Sequence, residues 1–265
     1  MLHDIRQQFL HFFFTIRSWL VIYLLLSFLL FSSGVGEYSL WGKTGYFFSF
    51  QGDSFAAQLF KKLVTDIVPA SVPIIVTSPL TAFVIQVKIA LLAALILTLP
   101  LLLYMIGSFV APALYRRERT ILRAVVVAAS LLFFIGSVFS YHYIVPTTLQ
   151  VLYTFAEPIG VTTMLSSDAL LAVVFALIFV TGVAFTLPVM MVVLSMMGVV
   201  SPAVWVMYWR HVLVAIFIVS AIITPDGSGV SMVLLSVPTT ILYGCGIVIS
   251  HMVARPSSEM RVTRV

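Results

Sequence analysis

Six apolar runs set the pattern of this chain. They fall at about 10–31, 83–109, 120–144, 169–197, 211–224 and 230–253, and polar or turn-forming residues separate them. A helix needs about 20 apolar residues to cross a hydrocarbon core of about 30 Å, so these runs predict transmembrane helices. The fifth run has about 14 residues and would cover only about 21 Å as a helix. Either it extends back through Trp209 and Trp205, or the bilayer thins around it. The first run is too long for the core of a signal peptide and lacks the usual small-residue cleavage site, so a retained span is expected. No leading segment rich in Arg and Ser points to import into an organelle.

The long connection at 32–82 has its own pattern. Phe55, Leu59, Phe60, Leu63 and Ile67 recur at helical spacing, with Asp53 as candidate N-cap and Pro69 and Pro73 as stops. This predicts a short amphipathic helix lying on the membrane surface. Pro100, Pro188 and Pro238 interrupt three of the runs, and each removes a backbone donor and bends its helix. Such kinks form a cupped bundle, or they are separate bends with no shared purpose. No repeat relates the first three runs to the last three, which argues against an inverted-repeat transporter. The expected fold is an all-α integral membrane protein, a single domain over 1–265 with six transmembrane helices and a tail at 254–265.

Composition agrees with the pattern. Of 265 residues, 62% are hydrophobic and 9% charged, against about 45–50% and about 25% in an ordinary soluble domain. A soluble globule is excluded. The one cysteine, Cys245, lies between Gly244 and Gly246, so there is no disulfide framework, and it reads as a small buried filler.

Charge gives an orientation. Arg116, Arg117, Arg119 and Arg210 lie in the second and fourth connections, and Arg6, Arg255, Arg261 and Arg264 lie near the termini. The other connections hold no arginine, and the acids Glu37, Asp53, Asp66, Glu157, Asp168 and Asp226 collect there. The positive-inside rule therefore places both termini in the cytoplasm. The net charge of +5 has no basic patch interleaved with aromatics, so nucleic-acid binding is not supported.

Enzyme motifs are absent: no H-E-x-x-H, P-loop, G-x-S-x-G or paired His and Cys ligands occur. His142, His211 and His251 fall near span ends. Thr181, Thr186, Thr239 and Thr240 are the main polar groups at depth, where hydroxyls bond to their own helix carbonyls or meet a neighbouring helix. No Asp or Glu sits mid-span, unlike a typical proton-coupled carrier. The cytoplasmic face carries the sharper signal. Asp4 and Glu118 each precede a span, and Glu118 stands among Arg116, Arg117 and Arg119. Two carboxylates there would attract a cationic peptide or headgroup. The plain alternative is a set of topology-setting charges with their counter-ions.

These residues also carry a resemblance. Leu2, His3, Asp4, Ile5 and Arg6 are similar to an N-terminal H-L-x-E-L-R signature. Ser78, Pro79, Phe83 and Lys88 match the entry to a second helix. Pro100, Leu103, Tyr104, Phe109, Ala111, Pro112, Ala113, Leu114, Tyr115, Glu118 and Arg119 form the most specific motif. Phe133, Phe134, Ile135, Gly136, Phe139 and Tyr141 follow, then Gly182, Phe185 and Pro188, Thr224 and Pro225, and Pro238, Leu242 and Tyr243. In this order, over nearly the whole chain, they resemble the TatC family, the multi-spanning receptor of the twin-arginine protein translocase.

The resemblance implies a non-enzymatic receptor without cofactor in a prokaryotic cytoplasmic membrane. Asp4 and Glu118 stand where the family binds the paired arginines of a signal peptide, with Arg6, Phe109 and Arg119 flanking them. Guanidinium groups suit carboxylates because both can form bidentate, charge-assisted bonds. Folded cargo would cross with the single-span partners TatA and usually TatB, docked on the fifth and sixth helices, driven by the proton-motive force. A homo-oligomer within the translocase and contact with lipid are also implied. The chain departs from the family at several points. Asp4 replaces a Glu, His3 adjoins the acid, and Gln8 replaces a basic residue. Thr186 and Gly244 stand where intramembrane Glu is common, and Asp226 follows Thr224 and Pro225 in the last outer turn. The reading from a different class is a small-molecule or ion transporter, which paired intramembrane acids would favour. An intramembrane enzyme would need a buried His with Ser or Asp.

Overall fold

The computed structural model describes residues 2–40, 43–49, 54–68, 73–76, 78–110, 116–155, 165–224 and 229–253, with side-chain detail outside 2–15, 35–49, 79, 106–123 and 165. In chain order these form α1 (Leu2–Ser32), β1 (Gly34–Leu40), β2 (Lys43–Ser49), α2 (Phe55–Ile67), β3 (Ile74–Ile75) and α3 (Pro79–Val110). Then follow α4 (Arg116–Phe139), a π-helical turn (Ser140–Ile144), α5 (Val145–Thr154), β4 (Leu165–Ser166), α6 (Ser167–Phe185) and α7 (Leu187–Met196). The last elements are α8 (Pro202–Met207), α9 (Trp209–Ile223) and α10 (Val230–Val253). By length and composition, four described stretches can cross a membrane: Leu80–Met105, Ala124–Thr154, Ser167–Met196 and Val230–Val253. Ile16–Ser32 and Trp209–Ile223 are shorter apolar helices. Among the described residues the fold is helical, with two small strand pairings that the hydrophobic pattern did not predict: β1 antiparallel to β2, and β3 parallel to β4.

Chain contacts divide the protein into two compact units, 1–105 with 152–176, and 106–151 with 177–265. In the first, α2 begins at Ser54, whose hydroxyl accepts from the Ala57 N–H at 3.1 Å. Ser54 rather than Asp53 is thus the cap, and Asp53 lies outside the described residues. Nor is the apolar face of α2 left wholly to lipid. Ala56 is buried with Ile85, Ile89, Ala90, Leu171 and Phe175, while Phe60 packs at the edge. Apolar ends of neighbouring helices cover this face, so the periodicity records packing on protein as well as exposure. The Trp19 indole N–H reaches the Thr98 carbonyl at 3.3 Å and joins α1 to α3.

In the second unit, the third apolar helix runs on past 144, where the pattern ended it. Pro146 has no N–H and its ring would strike the carbonyl of an ordinary α-turn. A π-turn precedes it, closed by the Val145 N–H on the Ser140 carbonyl, and this widened turn lets the helix continue to Thr154. Pro188 acts differently: α6 stops at Phe185 and α7 starts at Leu187, with Thr186 between. Pro100 and Pro238 lie inside continuous helices, so the three prolines do not share one effect.

Small residues set the helix spacing in this unit. A Cβ added at Gly182 would lie 2.6 Å from Phe133, and one at Gly136 would lie 2.7 Å from Phe185 and 2.9 Å from the Thr181 carbonyl. Two glycines, one on α4 and one on α6, thus admit an aromatic ring each. Met191, Ile216 and Tyr243 form a second core where α7, α9 and α10 meet. The fifth helix is short in fact. Tyr208 (φ −97°, ψ 12°) separates α8 from α9, so no continuous helix reaches back to Trp205.

Candidate functional site

Asp4 and Glu118 occupy matching positions. Each is the third residue of its helix, Asp4 in α1 and Glu118 in α4. The first turn of a helix has unpaired N–H groups and a partial positive charge. Around Glu118, the same turn carries Arg116, Arg117 and Arg119. Arg6 follows Asp4 within α1, and Phe109 lies in the last turn of α3. Asp4 and Arg6 belong to the first unit; Phe109, Glu118 and Arg119 belong to the second.

The polar residues expected at depth are mostly satisfied locally. The Thr186 hydroxyl donates to the Val183 carbonyl at 2.7 Å, at the break between α6 and α7. Thr224 is buried at the end of α9, and its hydroxyl donates to the Ser220 carbonyl at 2.9 Å. Thr181 and Thr239 likewise bond back to Leu177 and Leu235. The Thr240 hydroxyl is buried without a partner among the described residues. Asp226 lies outside the described residues. Cys245 is exposed, which corrects its reading as a buried filler: α10 turns that face away from the core that Tyr243 and Gly246 enter.

Two polar pairs escaped sequence reasoning. Lys88 donates to Asp168 at 2.6 Å, from α3 to the first turn of α6. A signal existed, since Lys88 is the one lysine within the second apolar run and such a charge needs a partner. The Thr148 hydroxyl donates to the Ile144 carbonyl and shares a further hydrogen bond with the Ser231 hydroxyl at 2.8 Å. Threonine and serine alone gave no such signal.

Several apolar helices of membrane-crossing length define a multi-spanning helical membrane protein. Residues 21–238 match the family model described as Sec-independent protein translocase protein (TatC). The chain is 34% identical over 176 residues to the Sec-independent protein translocase protein TatC of Helicobacter pylori, covering 66% of this chain and 69% of that one. The TatC of Escherichia coli K12 is 34% identical over 196 residues, covering 74% of this chain and 73% of that one. A crystal structure of the twin arginine translocase receptor TatC superposes with a TM-score of 0.71 at 26% identity, covering 96% of this chain and 99% of that chain. The chain belongs to the TatC family and is a subunit of the Sec-independent protein translocase.

Proposed function

We propose that this protein is the signal-peptide receptor and core of the translocase, with Glu118 and Asp4 binding the paired arginines of the cargo signal peptide. The observation that carries the reading is Glu118 at the start of α4, a carboxylate at a helix N-terminus among three arginines. A carboxylate offers acceptor oxygens for a bidentate guanidinium. Arg6 and Arg119 hold the carboxylates in place, and Phe109 supplies an apolar flank for the peptide. Lysine is a poorer ligand because its compact ammonium lacks the planar fork.

On this reading the chain has six spans in the cytoplasmic membrane of a prokaryote, kinked into a cup, with both termini in the cytoplasm. TatA, and usually TatB, dock along α9 and α10, near Thr186, Thr224 and Asp226. The complex holds several copies, and the proton-motive force drives transport without catalysis by this chain. The test is cross-linking of a twin-arginine signal peptide to the membrane-inserted protein, with a Lys-Lys peptide as control. Binding that needs the arginines and drops with Glu118→Ala supports the receptor reading. Equal binding of both peptides, or none, rejects it and makes the small-molecule transporter the reading to test.

A further inference from the structure

The connection between α7 and α9 has an unusual surface for a loop. α7 ends in a Schellman turn: the Val199 N–H bonds to the Leu194 carbonyl and the Gly198 N–H to the Ser195 carbonyl, with Gly198 at φ +70°. The chain then forms α8, which buries none of its residues. One side of α8 is tied to the protein. The Trp205 indole N–H donates to the Ser195 hydroxyl at 2.9 Å, and the Trp205 carbonyl accepts from the Tyr243 hydroxyl at 2.7 Å. Val199, Val206, Met207, Tyr208 and Trp209 are all exposed, Met207 at 65%.

A water-facing loop would carry several charges, and this one carries a single arginine. From 169 to 225 the sequence holds no Asp, Glu or Lys, and its one arginine is Arg210. The Arg210 guanidinium lies 5.6 Å from the centre of the Trp209 ring, and Tyr208 packs on His211. Aromatic rings beside a snorkelling cation are what the boundary of headgroups and acyl chains accommodates. The exposed apolar surface is also continuous with α9, whose 15 residues span about 22 Å, short of a core of about 30 Å.

We propose that residues 198–210 form an interfacial anchor: α8 lies in the headgroup boundary, and Arg210 takes the phosphate of an anionic phospholipid. The cation has no acidic neighbour in sequence, so an anionic headgroup complements it. The apolar side of α8 supplies cover that a short α9 lacks, which holds α9 at a fixed depth. Immersion follows from the surface itself; its assignment to the cytoplasmic leaflet rests on the topology proposed above.

The test uses the full chain with Met207→Cys and Cys245→Ser, labelled with bimane and reconstituted in phosphatidylcholine and phosphatidylglycerol vesicles. Immersion predicts quenching by brominated acyl chains and protection from aqueous iodide. Arg210 predicts about a five-fold preference for brominated phosphatidylglycerol over brominated phosphatidylcholine, lost in Arg210→Gln. A label at Ile222→Cys, exposed on the side of α9, reports correct insertion. Iodide quenching like that of free dye overturns the anchor in favour of a solvated loop. Shielding from both quenchers overturns it in favour of a protein neighbour. Immersion with equal quenching by the two lipids overturns Arg210 as the headgroup contact.

Discussion

Lys88 and Asp168 meet at 2.6 Å, although 80 residues separate them in the chain. The carboxylate sits in the first turn of α6, where the helix dipole favours it, and the lysine reaches it from α3. Each side chain is nearly half exposed, 46% and 44%, so its surroundings screen the pair. A double-mutant cycle with Lys88→Met and Asp168→Asn, read by thermal unfolding in detergent, is expected to give a coupling of about 1 kcal/mol or less. A coupling several times larger would mean that the pair lies in a dry setting.

The glycines at the α4 and α6 contact make a sharper prediction. Gly136→Ala forces a methyl against the Thr181 carbonyl and the base of the Phe185 ring. Overpacking of this kind costs about 1–3 kcal/mol. Gly244 has nothing within 4 Å of an added Cβ, so Gly244→Ala gains helix propensity of up to about 1 kcal/mol. Melting temperatures of the two variants are expected to move in opposite directions. Parallel shifts would show that the contact tolerates a methyl.

Tyr243→Phe removes the donor to the Trp205 carbonyl without changing the packed ring. A loss of about 1 kcal/mol is expected. The loss falls locally: hydrogen exchange of 202–208 rises while that of α4 stays unchanged. Uniform exchange over both regions would place the bond outside the local tether.

Glu118→Gln keeps the side-chain shape and removes its charge. If the carboxylate holds a guanidinium, affinity for a twin-arginine peptide falls about 10- to 100-fold, the equivalent of losing hydrogen bonds to a charged group. Asp4→Asn is expected to act in the same direction. Unchanged affinity in calorimetric titration of both variants would remove these carboxylates from the peptide site.

Much of this protein is legible without coordinates because apolar periodicity is a local property. A residue's tendency to leave water depends on its own side chain and near neighbours. The apolar runs at 83–109, 169–197 and 230–253 therefore fall on helices, and the spacing of Phe55, Leu59, Leu63 and Ile67 falls on α2. Glu118 was conspicuous for a similar reason, as a carboxylate among three arginines in a chain with few charges.

Tertiary structure decided what depends on partners distant in the chain. Lys88 finds Asp168, and Thr148 finds Ser231 across 83 residues, only because packing brings their helices together. Pro146 follows a π-turn inside a continuing helix, whereas Pro188 follows a break, though both lack the same donor. The side chains and turns around a proline determine how its missing bond is absorbed. The apolar pattern says which residues avoid water; the fold alone decides whether protein, as at Ala56, or an open surface, as at Met207, receives them, because burial requires a matching surface from elsewhere in the chain.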